Sequence, residues 1–149
     1  YKGRVSAFYP FFTEGPLVRV HFIIARYEGE TPNPDRASLE QAVAWYRVEP
    51  DGRILLNSCT PRRWCLNLME RPRIALSVID GADGYRWLGL NGDVEEIIED
   101  VDRAREAIVA LAHRYHPEGP SASLIAAFRS QPRVSFLVRI TGIHDHLGD

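Results

Sequence analysis

Four segments patterned as β-strands come before the first segment patterned as a helix, and this order constrains the fold most. Val5–Phe12 alternates and is rich in aromatic residues. Leu17–Arg26 puts Val18, Val20, Phe22 and Ile24 on one face, with Arg19 and His21 on the other. Val43–Val48 and Arg53–Ser58 follow. Thr13–Pro16 and Glu49–Gly52 read as tight turns between neighbouring strands. A doubly wound parallel sheet needs helices regularly between its strands, so this order favours an antiparallel sheet. Between the second and third strands, Tyr27–Glu40 is polar and contains Gly29, Pro32 and Pro34. It reads as a long loop with a helical turn near Asp35–Gln41.

The remainder adds helices at the margins of that sheet. Thr60 suits an N-cap and Pro61 the first helical position of a short helix. That helix ends near Glu70, because Arg71 precedes Pro72 and is pushed towards extended geometry. Ile74–Ile79 is a fifth strand, and residues 80–84 turn the chain into a sixth, Tyr85 to about Ile98, with Gly92 as a bulge. Asp100–His116 carries Val101, Ala104, Ile108, Leu111 and Tyr115 at helical spacing and stops at Pro117. A further helix covers Ala122–Phe128, and Val134–Ile143 is the last strand. The sum is one mainly β (α+β) domain over residues 1–149. Its expected form is a six- to seven-stranded antiparallel barrel with two to three helices at its rim.

The formal net charge is -2, so no global field draws the chain to nucleic acid or an anionic membrane. No apolar run approaches the roughly 18 residues of a membrane span. The two cysteines, Cys59 and Cys65, are too few for a disulfide framework and suggest reduced thiols in the cytoplasm. No nucleophile–base–orienter set, phosphate-binding glycine loop or zinc spacing occurs, and no metal is expected.

The chemistry concentrates in residues 51–72, where a turn, a strand and a short helix succeed one another. Arg62 and Arg63 fall in the first turn of that helix. Backbone N–H groups, hydroxyls and two guanidiniums then converge at one strand-to-helix junction, which suits an anionic group such as a phosphate. The plainer reading of the arginines is a solvated helix face.

The run Asp51-Gly52-Arg53-Ile54-Leu55-Leu56, followed by Arg62-Arg63, Asn67-Leu68 and Arg71-Pro72-Arg73-Ile74-Ala75-Leu76-Ser77-Val78, resembles the split β-barrel flavin and deazaflavin proteins. These are the pyridoxamine-phosphate-oxidase-like proteins and coenzyme F-420-dependent reductases. Residues 85–95, with Gly92-Asp93-Val94-Glu95, resemble the family's next strand, and the likeness spans roughly residues 42–141. The resemblance implies a split barrel whose subunits pair as a homodimer with the cofactor, FMN or coenzyme F-420, at the interface. It implies that Ser58 and Thr60 offer hydroxyls to the cofactor phosphate, Arg62 and Arg63 charge, and Asn67 an orienting amide. Trp64 stands where the family usually carries lysine, and could stack on a ring or pack against the barrel. His21 could donate a proton beside the ring, or be a hydrogen-bonded core histidine.

The implied activity is an oxidoreductase that moves a hydride from a reduced deazaflavin or FMN to a small conjugated organic acceptor. Since Trp64 and Leu66 replace basic residues, the alternative is the same fold acting as a binding protein for haem or an aromatic metabolite, or as a cofactor-free catalyst.

Overall fold

In the computed structural model, residues 20–25, 40–60 and 62–148 are described. The expected strand Val5–Phe12, the turn at 13–16, most of the loop up to residue 39 and Pro61 lie outside them. The strands are β1 (Val20–Ala25), β2 (Glu40–Val43), β3 (Tyr46–Val48), β4 (Ile54–Cys59), β5 (Arg73–Ile79), β6 (Trp87–Ile98) and β7 (Arg133–His146). Three helices accompany them among the described residues, α1 (Arg63–Glu70), α2 (Val101–Tyr115) and α3 (Ala122–Ser130). The strands join in one antiparallel sheet in the order β2-β1-β5-β6-β7-β4-β3, an α+β fold.

The expected single strand Val43–Val48 is broken. Glu40 and Gln41 belong to β2 rather than to a helical turn, and Ala44 and Trp45 separate β2 from β3. Those two residues carry the chain from one edge of the sheet to the other. Three Cα steps span at most about 11 Å, so a sheet with its edges tied this closely has to curl. The cause of the break is Trp45. Its ring leaves the strand to stack on Tyr115 at 5.3 Å and to meet His116 and Phe128 edge-on.

Curling gives the sheet an inner side. Tyr46, Leu56, Leu76, Leu90 and Phe136, from five strands, share one core with Trp64, Cys65 and Leu68 of α1. Phe136 has no exposure at all, and burying a side chain of that size stabilises the fold by about 1.5–3 kcal/mol. On the other side, Leu55 and Leu137 are directly paired and pack with Ile98, Ile108 and Leu111 under α2. The spacing Ala104, Ile108, Leu111, Ala112 gives α2 the apolar stripe that this requires. Its start is set by Asp100, whose carboxylate accepts from the Asp102 and Arg103 amides at 3.1 Å. At its other end, the Tyr115 hydroxyl accepts from the Tyr46 amide and donates to the Tyr46 carbonyl, both at 3.3 Å.

Gly92 sits at a register shift between β6 and β7, as the sequence leads one to expect. A Cβ there would run into Val138 Cγ1 and stand 3.1 Å from the Arg139 carbonyl oxygen. Gly92→Ala is therefore expected to lower stability by about 1–3 kcal/mol in urea unfolding. Adding Val138→Ala should cost less than the sum of the two single changes, because Val138 is what the new methyl meets. A Gly92→Ala protein as stable as the parent would remove the close-approach argument.

Candidate functional site

Strand β4 delivers the chain to the site with alternating faces. Ile54, Leu56 and Ser58 point into the inner core, while Leu55 and Asn57 face α2. The ladder to β7 continues past Cys59, since the Thr60 amide donates to the Pro132 carbonyl at 3.1 Å. Thr60 lies in the turn closed by the Arg62 amide donating to the Cys59 carbonyl at 3.1 Å, and it is not the N-cap. The helix begins at Arg63, and Arg62 occupies the cap position with φ -60° and ψ 133° and no capping side chain. No acidic residue stands in the first turn. A helix start with no side-chain cap, two arginines and no acidic residue in its own first turn is a fitting seat for an anion. The residues present at this junction therefore suit a cofactor phosphate.

The residues expected at the site separate into two groups. Arg62 and Arg63 are exposed, and Thr60 is half-buried, with its hydroxyl 3.5 Å from the Pro132 carbonyl oxygen. Asn67 is half-buried and lies one helical turn after Arg63 within α1. Ser58 and Trp64 go inward instead. Ser58 has no exposure, and its hydroxyl lies 3.5 Å from the Cys59 carbonyl oxygen. The Trp64 ring packs at 6.2 Å from Phe136, tilted by 45°. Of the two roles open to Trp64, the single chain displays packing. His21 lies in β1 opposite Val78.

The residues that sequence reasoning missed lie on the far face of the same strand end. Asn57 donates to the Ala104 carbonyl and to Ser135 Oγ, both at 2.8 Å, and its amide oxygen accepts from Arg133 at 3.3 Å. Arg133 also donates to the Gln131 side-chain oxygen and lies 4.7 Å over the Phe128 ring. In the sequence, Arg133 precedes the apolar run Val134–Ile140 and resembles the wet end of a strand. Only the pairing with Cys59 and the overlying α3 bury it.

Two recesses among the described residues lie away from this junction. A recess of about 430 Å³ is lined by Arg73, Ala75, Asn91, Asp93 and Thr141 on β5, β6 and β7. A broader groove of about 770 Å³ runs between the Glu49–Arg53 turn and α2, over Leu55 and Leu137. Neither is lined by Arg62 or Arg63. Among the described residues, no group of three or more His, Cys, Asp or Glu side chains is placed to hold a metal ion. No helix among them is long and apolar enough to cross a membrane.

Comparison with solved structures places this geometry among known proteins. An F-420 reductase superposes with a TM-score of 0.68 at 25% identity, covering 91% of this chain and 94% of its own. The haem storage protein HutZ from Vibrio cholerae superposes with a TM-score of 0.64 at 12% identity, covering 95% and 94%. A pyridoxamine 5'-phosphate oxidase-like protein from Listeria innocua gives a TM-score of 0.62 at 8% identity, covering 97% and 99%. No protein-family model and no curated protein sequence matches the chain.

The two thiols beside the junction differ sharply. Cys59 is half-buried, whereas Cys65 has no exposure, and burial pushes its thiol up to about 11 against a Ser58 bond that favours the thiolate. A thiol reagent at pH 8 should label one cysteine of the native chain and both after denaturation; two fast thiols would contradict the packing of Cys65. The raised value also has a stability consequence. Between pH 9 and 11 the unfolded chain releases the Cys65 proton while the folded chain keeps it, so stability falls as pH rises. The loss attributable to Cys65 is roughly 2–3 kcal/mol by pH 11, and Cys65→Ala should flatten that part of the alkaline decline in urea melts.

Proposed function

We propose that this chain, which shares the fold of the pyridoxamine-phosphate-oxidase-like split-barrel superfamily, is an oxidoreductase of the flavin or deazaflavin type. Its reaction would move a hydride from a reduced deazaflavin (coenzyme F-420) or FMN to a small conjugated organic acceptor. The observation that carries this reading is the α1 junction: two guanidiniums at an uncapped helix start with no acidic residue in its first turn. The likeness to an F-420 reductase over nearly the full length of both chains supports it. When bound, the cofactor supplies the redox chemistry, which is why no catalytic triad is needed.

In this reading the chain's own residues divide the work of binding. Arg62 and Arg63 bind the phosphate oxygens, and the α1 amides add their partial charge. The Thr60 hydroxyl and the Asn67 amide orient the group from either side. Ser58 and Trp64 hold the α1–β4 contact from within, which fixes the arginines' backbone. A homodimer would enclose the cofactor between subunits, so that exposure of Arg62 and Arg63 in one chain is the exposure of a half-site. The free thiols fit a reducing compartment, and we place the protein in the cytoplasm.

A second reading has its own support. The haem storage protein HutZ has the same fold at nearly the same TM-score, so an aromatic ligand such as haem could occupy a site of this shape.

Fluorescence titration with coenzyme F-420 and with FMN separates these readings. Binding of either cofactor is expected, with Arg62→Ala/Arg63→Ala weakening it by roughly tenfold or more per arginine, the equivalent of about 1.5–3 kcal/mol for each charge-assisted contact. Cofactor affinity unchanged in the double variant would remove the phosphate assignment. No binding of either cofactor, together with a Soret band on adding haemin, would favour the second reading.

A further inference from the structure

Arg133 is buried, with 7% exposure, and makes no ion pair among the described residues. Its two oxygen partners are the neutral amide side chains of Asn57 and Gln131, and its Nε has no hydrogen-bond partner. Among the described residues no carboxylate stands within ion-pair distance of it. The contrast with Arg47, Arg53, Arg86 and Arg139 is plain, since each of these reaches an acidic side chain. Desolvating a guanidinium is costly, and an ion pair is the usual recompense. Here that recompense is absent among the described residues.

The place where Arg133 stands suggests what supplies it. Arg133 is directly opposite Cys59 at the end of β4, and its neighbour Pro132 accepts the Thr60 amide. Three residues past Cys59 the chain reaches Arg62 and the start of α1. Burial holds the Arg133 guanidinium below the ordinary arginine range; the Cys59 sulfur opposes that shift and the Arg62 charge adds to it. The two arginines therefore lie close enough to repel. A positive charge held in low dielectric on one face of this strand end, with Arg62 just past the other, raises the positive potential there.

We infer that Arg133 is a third cation of the α1 anion site, a positioning charge whose missing counterion is the phosphate group of the bound ligand. This inference rests on the α1 reading above. Arg133 acts through the protein rather than by touching the ligand: Asn57, Gln131 and the Phe128 ring fix it, and its field raises the affinity of the junction for phosphate. Its backing of Arg62 also explains why two exposed arginines suffice where Trp64 and Leu66 carry no charge. If it were merely a structural staple, its replacement would weaken the fold and leave anion binding alone. A cation awaiting its counterion has the opposite signature.

The test compares melting temperatures in sodium phosphate and in sodium chloride at equal ionic strength, for the parent, Arg133→Met, Arg133→Lys and Arg62→Ala/Arg63→Ala. The parent should gain stability specifically from phosphate. Arg133→Met should melt no lower than the parent in chloride yet lose most of the phosphate gain, and Arg133→Lys should keep part of it. In FMN titrations Arg133→Met should weaken binding about tenfold, with riboflavin, which lacks the phosphate, unaffected. A full phosphate gain in Arg133→Met, with loss in Arg62→Ala/Arg63→Ala, would overturn the role of Arg133 and leave the α1 reading standing. Loss in Arg133→Met with retention in Arg62→Ala/Arg63→Ala would remove the α1 reading instead. Should Arg133→Met not fold, Arg133→Gln serves in its place, judged by the same phosphate gain and FMN-to-riboflavin comparison. No phosphate-specific gain in the parent would end both.

Discussion

The pairing of β4 with β7 carries the rest of the molecule. Ile54 to Cys59 runs opposite Val138 to Arg133, and both faces of this pair are covered. One face meets α1 and the concave side of the sheet through Leu56, Ser58, Val134 and Phe136. The other meets α2 and α3 through Leu55, Asn57 and Leu137, with Ser135 bonded to Asn57 and Arg133 lying over Phe128. A two-strand unit buried on both sides cannot slip by one residue without moving polar groups into apolar surroundings. That constraint fixes where the chain leaves the sheet, and hence where α1 begins.

The electrostatic character of the junction follows from this register. Because Thr60 is still bonded to Pro132, the helix starts later than a local cap would place it, and Arg62 rather than a threonine occupies the cap position. The start of α1 thus has no capping side chain of its own and carries two arginines. Arg133 then lies one strand away under α3, where two neutral amides hold it. The same pairing that stabilises the core thus concentrates positive charge at its end, a tension common at binding sites. Trp45 shows the complementary effect at the edges of the sheet. Its stacking on Tyr115 diverts the chain from β2 to β3 and so ties the two margins together.

Much of the fold was legible because its signals are local. The apolar spacing of α2, the Gly92 bulge and the turn at Glu49–Gly52 each depend on neighbours within a few residues. The mistaken points have distant causes. Thr60 was a reasonable cap until Pro132, remote in sequence, took its amide. Val43–Val48 read as one strand until the rings of α2 and α3 drew Trp45 out of it. The burial of Ser58, set by the alternation of β4 and the cover of α1, was likewise not visible locally. At the candidate site, the two exposed arginines were visible in the sequence and the buried one was not.

The sequence by itself determined the antiparallel order, the existence of the helices and the two arginines at the head of α1. Periodicity and turn chemistry act over a handful of residues, and the chain states them openly. Tertiary structure alone decided that Trp64 packs inward, that β2 and β3 lie at opposite ends of the strand order and that Arg133 is buried with no ion pair among the described residues. Alternation along a strand says which residues share a face. It does not say what will cover that face, because the covering elements arrive from positions far along the chain.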